Sequence, residues 1–123
     1  MAKKILIVED DTFLQGLAAT KLIKEGYTVA TASTTDDAEK QVEADTPDFV
    51  LLDLVLPGTS GFDLLKKFRG NPKLVQTPII IFSNLAEDKD IMQAKDLGAT
   101  DFMIKSNFTL DELADKIKSL IGQ

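Results

Sequence analysis

The sequence predicts an α/β domain in which helices cover both faces of a five-stranded parallel sheet. Short apolar segments alternate with helix-like segments five times along the chain, as expected for repeated β–α units. Residues 49–52 form an unbroken apolar segment, which is typical of a strand buried on both faces of a parallel sheet. The 123 residues suit one domain of ordinary size, and we predict a single domain over residues 1–123.

The first β–α unit begins with an apolar strand at residues 4–8 and continues through three acids, Glu9–Asp11, into a helix. Thr12 and Gln15 have the spacing of a capping box, so we place the start of this helix there. Gly26 is expected just past its end. The predicted apolar stripe of this helix consists of Leu14, Leu17, Ala18 and Leu22.

The second unit begins at residues 27–32, whose lower apolar content predicts a strand nearer to an edge of the sheet. Thr34 and Asp37 can begin a helix that continues to about residue 45, and Pro47 lies beyond its end. Its weak apolar stripe consists of Ala38 and Val42.

The third unit contains the central strand, residues 49–53, which ends in an acid. Ser60 and Asp63 are placed to begin the third helix, and Gly70 follows its end. Residues 71–77 are predicted to form a loop. The apolar face of the third helix consists of Leu64, Leu65 and Phe68.

The fourth and fifth strands are predicted at residues 78–82 and 101–104, with a polar helix at about residues 86–97 between them. Thr109 and Glu112 form a second capping-box pattern, which begins the last helix. This helix has the strongest amphipathic pattern in the chain, with apolar residues at Leu110, Leu113, Ala114, Ile117, Leu120 and Ile121.

The composition excludes several classes of function. The chain has no cysteine and no histidine, which removes thiolate nucleophiles, imidazole-dependent triads and zinc sites built on these residues. The net charge of −6 argues against a general nucleic-acid surface. No apolar run approaches the roughly 20 residues of a membrane-spanning helix, and the start of the chain lacks the apolar core of a signal peptide. We therefore expect a cytoplasmic protein with no membrane contact.

Polar residues at the ends of four predicted strands form a candidate site. Glu9–Asp11, Asp53, Ser83 and Lys105 directly follow or end these strands, and the carboxyl edge of a parallel sheet is where open α/β folds bind ligands. Each residue also has an ordinary explanation as a helix cap or a solvated side chain. Crowded carboxylates favour a divalent cation such as Mg²⁺, and a nearby hydroxyl and ammonium suit the oxygens of a phosphoryl group carried by Asp53.

Four sequence segments give the chain a specific resemblance to response-regulator receiver domains. These segments are Ile5–Asp11, Leu51–Gly58, Ile79–Ser83 and Gly98–Lys105, and the resemblance extends over about residues 3–121. The resemblance implies a flavodoxin-like (βα)5 fold with the sheet order 2-1-3-4-5.

The resemblance also implies a function for the site. Asp53 is expected to accept a phosphoryl group from a histidine kinase or a phosphotransfer protein, and not to act as a turnover enzyme. Asp10 is expected to bind Mg²⁺ directly and Glu9 through water, with Asp53 and the backbone carbonyl of Val55 as further ligands. The result would be a switch that acts through protein contacts.

Three further residues receive roles by the same resemblance. Ser83 and Lys105 are expected to contact the phosphoryl oxygens, and Ser83 with Phe102 to act as the switch. The alternative for Phe102 is an ordinary core phenylalanine. The output partner is expected to be a protein that binds the face formed by the fourth helix, the fifth strand and the fifth helix, with no direct contact to nucleic acid.

The sequence departs from the family pattern at several positions. Ser106 follows Lys105 where the family usually has a proline after a cis bond, and a non-proline cis bond costs about 3–4 kcal/mol. Asn84 stands where the family favours a small residue, which could narrow access to Asp53. Val55 and Leu85 occupy the two positions that flank the approach of water in the family. No second domain follows Gln123, so we expect a stand-alone receiver.

Three other functions compete with that of a phosphorylated receiver. A haloacid-dehalogenase-type phosphatase needs a second aspartate two positions after the nucleophile, and Val55 stands there. A flavin-binding module needs a phosphate-binding loop after the first strand, and the acids Glu9–Asp11 have the wrong charge for that. A degenerate receiver that signals without phosphate is disfavoured because the chain retains all five site residues, Glu9, Asp10, Asp53, Ser83 and Lys105.

Overall fold

Five parallel strands form one sheet in the computed structural model, which describes residues 2–122. The strands are β1 (Lys4–Val8), β2 (Thr28–Ala32), β3 (Phe49–Leu52), β4 (Ile79–Ser83) and β5 (Asp101–Ile104). Their order in the sheet is β2-β1-β3-β4-β5. The predicted fold class and strand order are therefore confirmed, and β2 lies at an edge as its composition indicated.

Each strand is followed by a helix. The helices are α1 (Thr12–Lys24), α2 (Thr35–Ala44), α3 (Gly61–Arg69), α4 (Asp88–Asp96) and α5 (Leu110–Ile121). Two short 3₁₀ helices lie at Pro72–Leu74 and Lys105–Asn107. Residues 71–77 are thus not wholly a loop, because Pro72 can begin a helical turn and Leu74 is buried in the core.

The two faces of the sheet carry separate hydrophobic cores, since successive side chains of a strand point to opposite faces. Leu6, Val50 and Ile81 pack on the face covered by α2, α3 and α4. Ile5 and Leu51 pack on the opposite face, which is covered by α1 and α5. This burial on both faces explains why the central strand β3 is an unbroken apolar segment.

The helix α1 begins at Thr12 as predicted, but its capping differs from the prediction. The N-cap residue is Asp11, whose carboxylate accepts hydrogen bonds from the N–H groups of Phe13 and Leu14 at 3.0 and 3.1 Å. The expected capping box between Thr12 and Gln15 is wrong, because the Gln15 amide is used elsewhere in the fold. Its Nε2 atom donates to the backbone carbonyl of Glu9 at 2.8 Å.

The apolar stripe of α1 was predicted only in part. Ala18 and Leu22 are buried against the sheet, whereas Leu17 is 45% exposed. The remaining caps agree with the sequence, since Thr34, Ser60 and Thr109 each accept a hydrogen bond from the N–H three residues later. No helix within residues 2–122 combines the length and apolar character that a membrane crossing requires.

Helices α1 and α5 are also joined by ion pairs at the surface. Lys21 forms a salt bridge with Asp111 and another with Glu25, the latter at 3.3 Å, and Lys118 lies 3.2 Å from Glu25. The hydrogen bond from Lys21 lowers the pKa of Asp111, and the hydrogen bonds from Lys118 and Lys21 lower the pKa of Glu25. Both carboxylates therefore favour the folded state only while they are ionised.

We expect the replacement Lys21→Met to destabilise the protein in a pH-dependent manner. The folded-state pKa values of Asp111 and Glu25 are depressed, so their stabilising effect is present at neutral pH and is lost as the pH falls below about 4. The difference in free energy of unfolding between variant and wild type, measured with urea, should be present at pH 7 and shrink at pH 3.

The matched control for this measurement is Lys40→Met on α2, because Lys40 is exposed and has no salt bridge within the described residues. It should change the free energy of unfolding little at either pH. A Lys21→Met difference that is equal at pH 7 and pH 3 would show that ionisation of Asp111 and Glu25 does not control the stabilising effect of Lys21.

Candidate functional site

The pairing of β1 with β3 brings two carboxylates together at the carboxyl edge of the sheet. Val8 lies opposite Leu52 in the parallel register, so the next residues, Glu9 and Asp53, are neighbours. The Asp53 N–H continues the ladder and donates to the Val8 carbonyl at 3.0 Å. Glu9 is 4% exposed and Asp53 is 6% exposed. Two acids that α1, β2, α2 and β3 separate in the sequence are thus buried side by side.

Lys105 supplies the positive charge for both carboxylates. It directly follows β5, and its Nζ atom lies 2.5 Å from Oε1 of Glu9 and 2.6 Å from Oδ2 of Asp53. Buried charges are tolerated when they are paired and hydrogen-bonded. The predicted proximity of Glu9, Asp53 and Lys105 is therefore present in the structure.

The other oxygen of Asp53 is held by β4 and by the loop after β3. The Ser83 hydroxyl donates to Oδ1 of Asp53 at 2.7 Å, and the Val55 N–H donates to the same oxygen at 3.1 Å. The Leu85 N–H in turn donates to the Ser83 hydroxyl oxygen at 3.2 Å. Both carboxylate oxygens of Asp53 are consequently fixed by hydrogen-bond donors.

Burial and pairing shift the protonation equilibria of the site. Burial raises the pKa of Glu9 above its usual value, although the hydrogen bonds from Lys105 and from the Asp11 N–H act in the opposite direction. Burial lowers the pKa of Lys105, but its hydrogen bonds to Asp53 and Glu9 outweigh this, so that its pKa is raised overall. Lys105 therefore stays protonated at neutral pH.

The site also has the ligands for a divalent cation. One carboxylate oxygen from each of Glu9, Asp10 and Asp53 lies within 4.8 Å of the others, and Asp10 is exposed to solvent. Three carboxylates against one ammonium leave an excess of negative charge. Oxygen ligands of this kind suit hard cations such as Mg²⁺. The residues present thus fit a metal site, and the Val55 carbonyl as a further ligand stays a prediction.

Gly61 packs closely on the backbone of Asp53 and Leu54, a contact that the sequence did not predict. A Cβ atom at this position would lie 2.5 Å from the Asp53 carbonyl oxygen and 2.5 Å from the Leu54 Cα atom. The Gly61 N–H also donates to the Leu54 carbonyl at 3.0 Å. The first residue of α3 therefore packs directly on the backbone that carries Asp53. The sequence clue was a glycine at the start of a helix, where side chains are usually tolerated.

The remaining predicted residues lie in β5 or in the segments that follow β3, β4 and β5. Phe102 is half-buried and packs against the core on the α3 and α4 side, so its role as a switch stays a prediction. Val55 is 57% exposed and Leu85 is 38% exposed. No cis peptide bond occurs within residues 2–122, so the Lys105–Ser106 bond is trans. Asn84 is exposed, and its side chain contacts the loop after β5.

Comparison of the sequence with known protein families gives one clear match. Residues 5–118 match the family described as response regulator receiver domain. The Staphylococcus aureus transcriptional regulatory protein KdpE is 39% identical over 118 residues, which cover 96% of this chain and 49% of KdpE. The Rhizobium meliloti phosphate regulon transcriptional regulatory protein PhoB is 33% identical, with coverage of 98% and 53%. The chain spans about half the length of these curated relatives.

Solved structures of receiver domains have the same fold as this chain. The BeF3-activated N-terminal receiver domain of Klebsiella pneumoniae RstA is 32% identical and superposes with a TM-score of 0.88, covering 98% of this chain and 99% of that one. A CheY-like response regulator receiver domain protein from Methanospirillum hungatei is 28% identical with a TM-score of 0.90, covering 97% and 93%.

The close contact at Gly61 leads to a prediction about the metal site. Gly61→Ala should lower the free energy of unfolding by about 1–3 kcal/mol, as overpacking does, and should weaken Mg²⁺ binding because the Leu54 backbone must move together with Asp53. Urea denaturation and calorimetric titration with Mg²⁺ would measure the two effects.

The control is Gly16→Ala within α1, where a Cβ atom would meet nothing within 4 Å. This change should stabilise the helix by up to about 1 kcal/mol and leave Mg²⁺ binding unchanged. If Gly61→Ala bound Mg²⁺ as tightly as wild type, the position of Asp53 would not depend on the contact with Gly61.

Proposed function

The chain belongs to the response regulator receiver domain family of two-component systems, and on this basis we propose that Asp53 accepts a phosphoryl group from a histidine kinase or a phosphotransfer protein. The observation that carries the proposal is the arrangement around Asp53. Its Oδ1 atom accepts from Ser83, and its Oδ2 atom lies 2.6 Å from the Lys105 ammonium. These are the donors that a phosphoryl group bound to Asp53 would need.

The proposed reaction moves a phosphoryl group from the donor to Asp53. A carboxylate oxygen of Asp53 attacks the phosphorus atom in line with the leaving group, the bond between phosphorus and the donor breaks, and its electron pair departs with the donor. The Ser83 hydroxyl and the Lys105 ammonium then interact with the non-bridging oxygens. Charge stabilisation of this kind is the main contribution that proteins make to phosphoryl transfer.

We propose Mg²⁺ as the cation, held by Glu9, Asp10 and Asp53 and by the Val55 carbonyl. Once bound, Mg²⁺ supplies positive charge next to the phosphoryl oxygens. Lys105 occupies the position between Glu9 and Asp53, whereas Asp10 is the exposed member of the set. Asp10 is therefore the carboxylate best placed to bind a cation that arrives from solvent.

The output of the switch is proposed to pass through Ser83 and Phe102 to the face formed by α4, β5 and α5, where a downstream protein would bind. Helix α4 has few anchors in the core, since only Asp90 and Ala94 are buried in it. Weak anchoring of this kind is typical of segments that change conformation.

A single receiver domain in the cytoplasm, with no direct contact to nucleic acid, is part of the same proposal, and it is supported by family membership and by the net charge of −6. The relatives whose names describe transcriptional regulation are about twice as long as this chain.

A phosphate-independent receiver is the less favoured function, because Glu9, Asp53, Ser83 and Lys105 form one connected set of contacts.

The proposal predicts one Mg²⁺-dependent phosphorylation site. Acetyl phosphate should add a single phosphoryl mass to the wild type in Mg²⁺, and none to Asp53→Asn, which lacks the nucleophilic carboxylate. Intact-mass spectrometry would measure this directly.

The control variant is Asp36→Asn, which changes an exposed acid on α2 and should be phosphorylated like the wild type. Full labelling of Asp53→Asn, or full labelling of the wild type in excess chelator, would refute the proposed chemistry.

A long-lived phosphoryl group is a second expectation. Hydrolysis needs a water molecule in line behind the phosphorus atom, and Val55 and Leu85, which are exposed at the site, cannot hydrogen-bond such a water. The double variant Val55→Asn with Leu85→Glu should lose phosphate faster than wild type and faster than either single variant. The half-life of the phosphorylated protein in Mg²⁺ measures this. An unchanged half-life would mean that these side chains do not control the attacking water.

A further inference from the structure

A hydrogen bond joins the two chain segments that follow β4 and β5, next to Ser83 and Lys105. The Ser106 backbone N–H donates to Oδ1 of Asn84 at 3.1 Å, between residues that are 22 positions apart in the chain. Both residues are exposed. Asn84 and Ser106 are two separate departures from the family pattern in the sequence, and the structure places them in direct contact.

The hydrogen bond between Ser106 and Asn84 lies just beyond the carboxyl end of the sheet. Parallel pairing between β4 and β5 ends at Ser83 and Ile104. The bond between Asn84 and Ser106 is therefore the next connection between the two chain segments beyond the end of the ladder. Lys105 leaves the sheet between the last ladder pair and this bond.

We propose that Asn84 is a positioning residue for Lys105, an inference that rests on the proposed function of Asp53. Asn84 directly follows Ser83, and Ser106 directly follows Lys105. The bond between Asn84 and Ser106 therefore sets the separation of the two backbones from which the hydroxyl and the ammonium reach Asp53. Phosphoryl transfer depends on such positioning, because misplaced donors stabilise the transition state poorly.

The carboxamide of Asn84 suits the positioning of Lys105 better than the side chain of alanine or aspartate would. An alanine at position 84 would have no acceptor for the Ser106 N–H. An aspartate would keep the acceptor but would add a negative charge beside a phosphoryl group that is itself negative. Ser83 is already held by the Leu85 N–H at 3.2 Å, so the segment after β5 is the one that the Asn84 side chain restrains.

The first test uses the unphosphorylated protein. In Asn84→Ala we expect the Ser106 amide to exchange its hydrogen about three- to tenfold faster, since one hydrogen bond of ordinary strength is lost, and the Lys105 side-chain resonances to shift in the NMR spectrum. Asn84→Asp keeps the acceptor and should restore slow exchange. Exchange at Ser106 that is unchanged in Asn84→Ala would overturn the proposal.

A matched control is Asn71→Ala. The Asn71 Oδ1 atom also accepts from a backbone N–H, that of Lys73 at 3.0 Å, but it lies in the loop after α3. This variant loses the same type of bond and should leave the Lys105 resonances and the Ser106 amide unchanged. If it shifted them as much as Asn84→Ala, the effect would be general and the proposal would fail.

The second test is a double-mutant cycle on the rate of phosphorylation by acetyl phosphate. Asn84→Ala should slow the reaction by up to about tenfold, the factor that one hydrogen bond can contribute. In a Lys105→Ala background the same change should have no further effect, because the residue that Asn84 positions is then missing. Equal slowing in both backgrounds would overturn the proposal.

The two tests separate failure of this inference from failure of the proposed function. A wild type that acetyl phosphate does not label in Mg²⁺ would refute phosphorylation of Asp53. The amide exchange and the Lys105 resonances would still decide whether Asn84 positions Lys105. Normal labelling together with unchanged NMR data in Asn84→Ala would refute the positioning role alone.

Discussion

The contact of one ammonium group with two buried carboxylates is the interaction on which the site depends. Lys105 lies within 2.6 Å of both Glu9 and Asp53, and without it two acids would be buried next to each other with no compensating charge. Lys105 holds Asp53 in a defined orientation while Ser83 and Val55 hold its other oxygen. Removal of one partner from such a set is expected to be far more costly than loss of a surface ion pair.

The parallel sheet makes this contact possible. Adjacent strands in the order β1, β3, β4 and β5 bring their carboxyl ends to one edge, so that residues distant in sequence meet without any long loop. The cores on the two faces fix the register, because a shift by one residue would turn every buried side chain to the opposite face. The sheet therefore fixes the backbone from which each functional side chain extends, and the loops complete the geometry.

Single contacts from α1, from α3 and from the segments after β4 and β5 complete this geometry. Gly61 lets α3 pack on the backbone of Asp53 and Leu54, and Asn84 joins the loops that follow β4 and β5. Gln15 joins α1 to the Glu9 carbonyl. Each of these contacts places a short segment of backbone next to the site. In each case, the substitution of one residue would displace a functional group that belongs to another residue.

The sequence by itself determined the features that depend on neighbouring residues. The alternation of strands and helices and the acids, hydroxyl and ammonium at the strand ends could be read directly, because apolar periodicity is a local property. The caps at Thr34 and Ser60 were also predicted correctly, since these bonds join residues three positions apart. Glu9, Asp53, Ser83 and Lys105 could therefore be chosen as candidates before any geometry was known.

Only the tertiary structure decided the features that depend on distant segments. The strand order is the exception, because the family resemblance supplied it where parallel crossovers alone allow several orders. Periodicity alone could not show that Leu17 faces solvent or that Gln15 contacts a neighbouring loop instead of capping α1. The close contact of Gly61 with Leu54 depends on how a helix lies over a strand. The pairing of Asn84 with Ser106 joins residues 22 positions apart, and such a pairing exists only after the sheet has brought the two loops together.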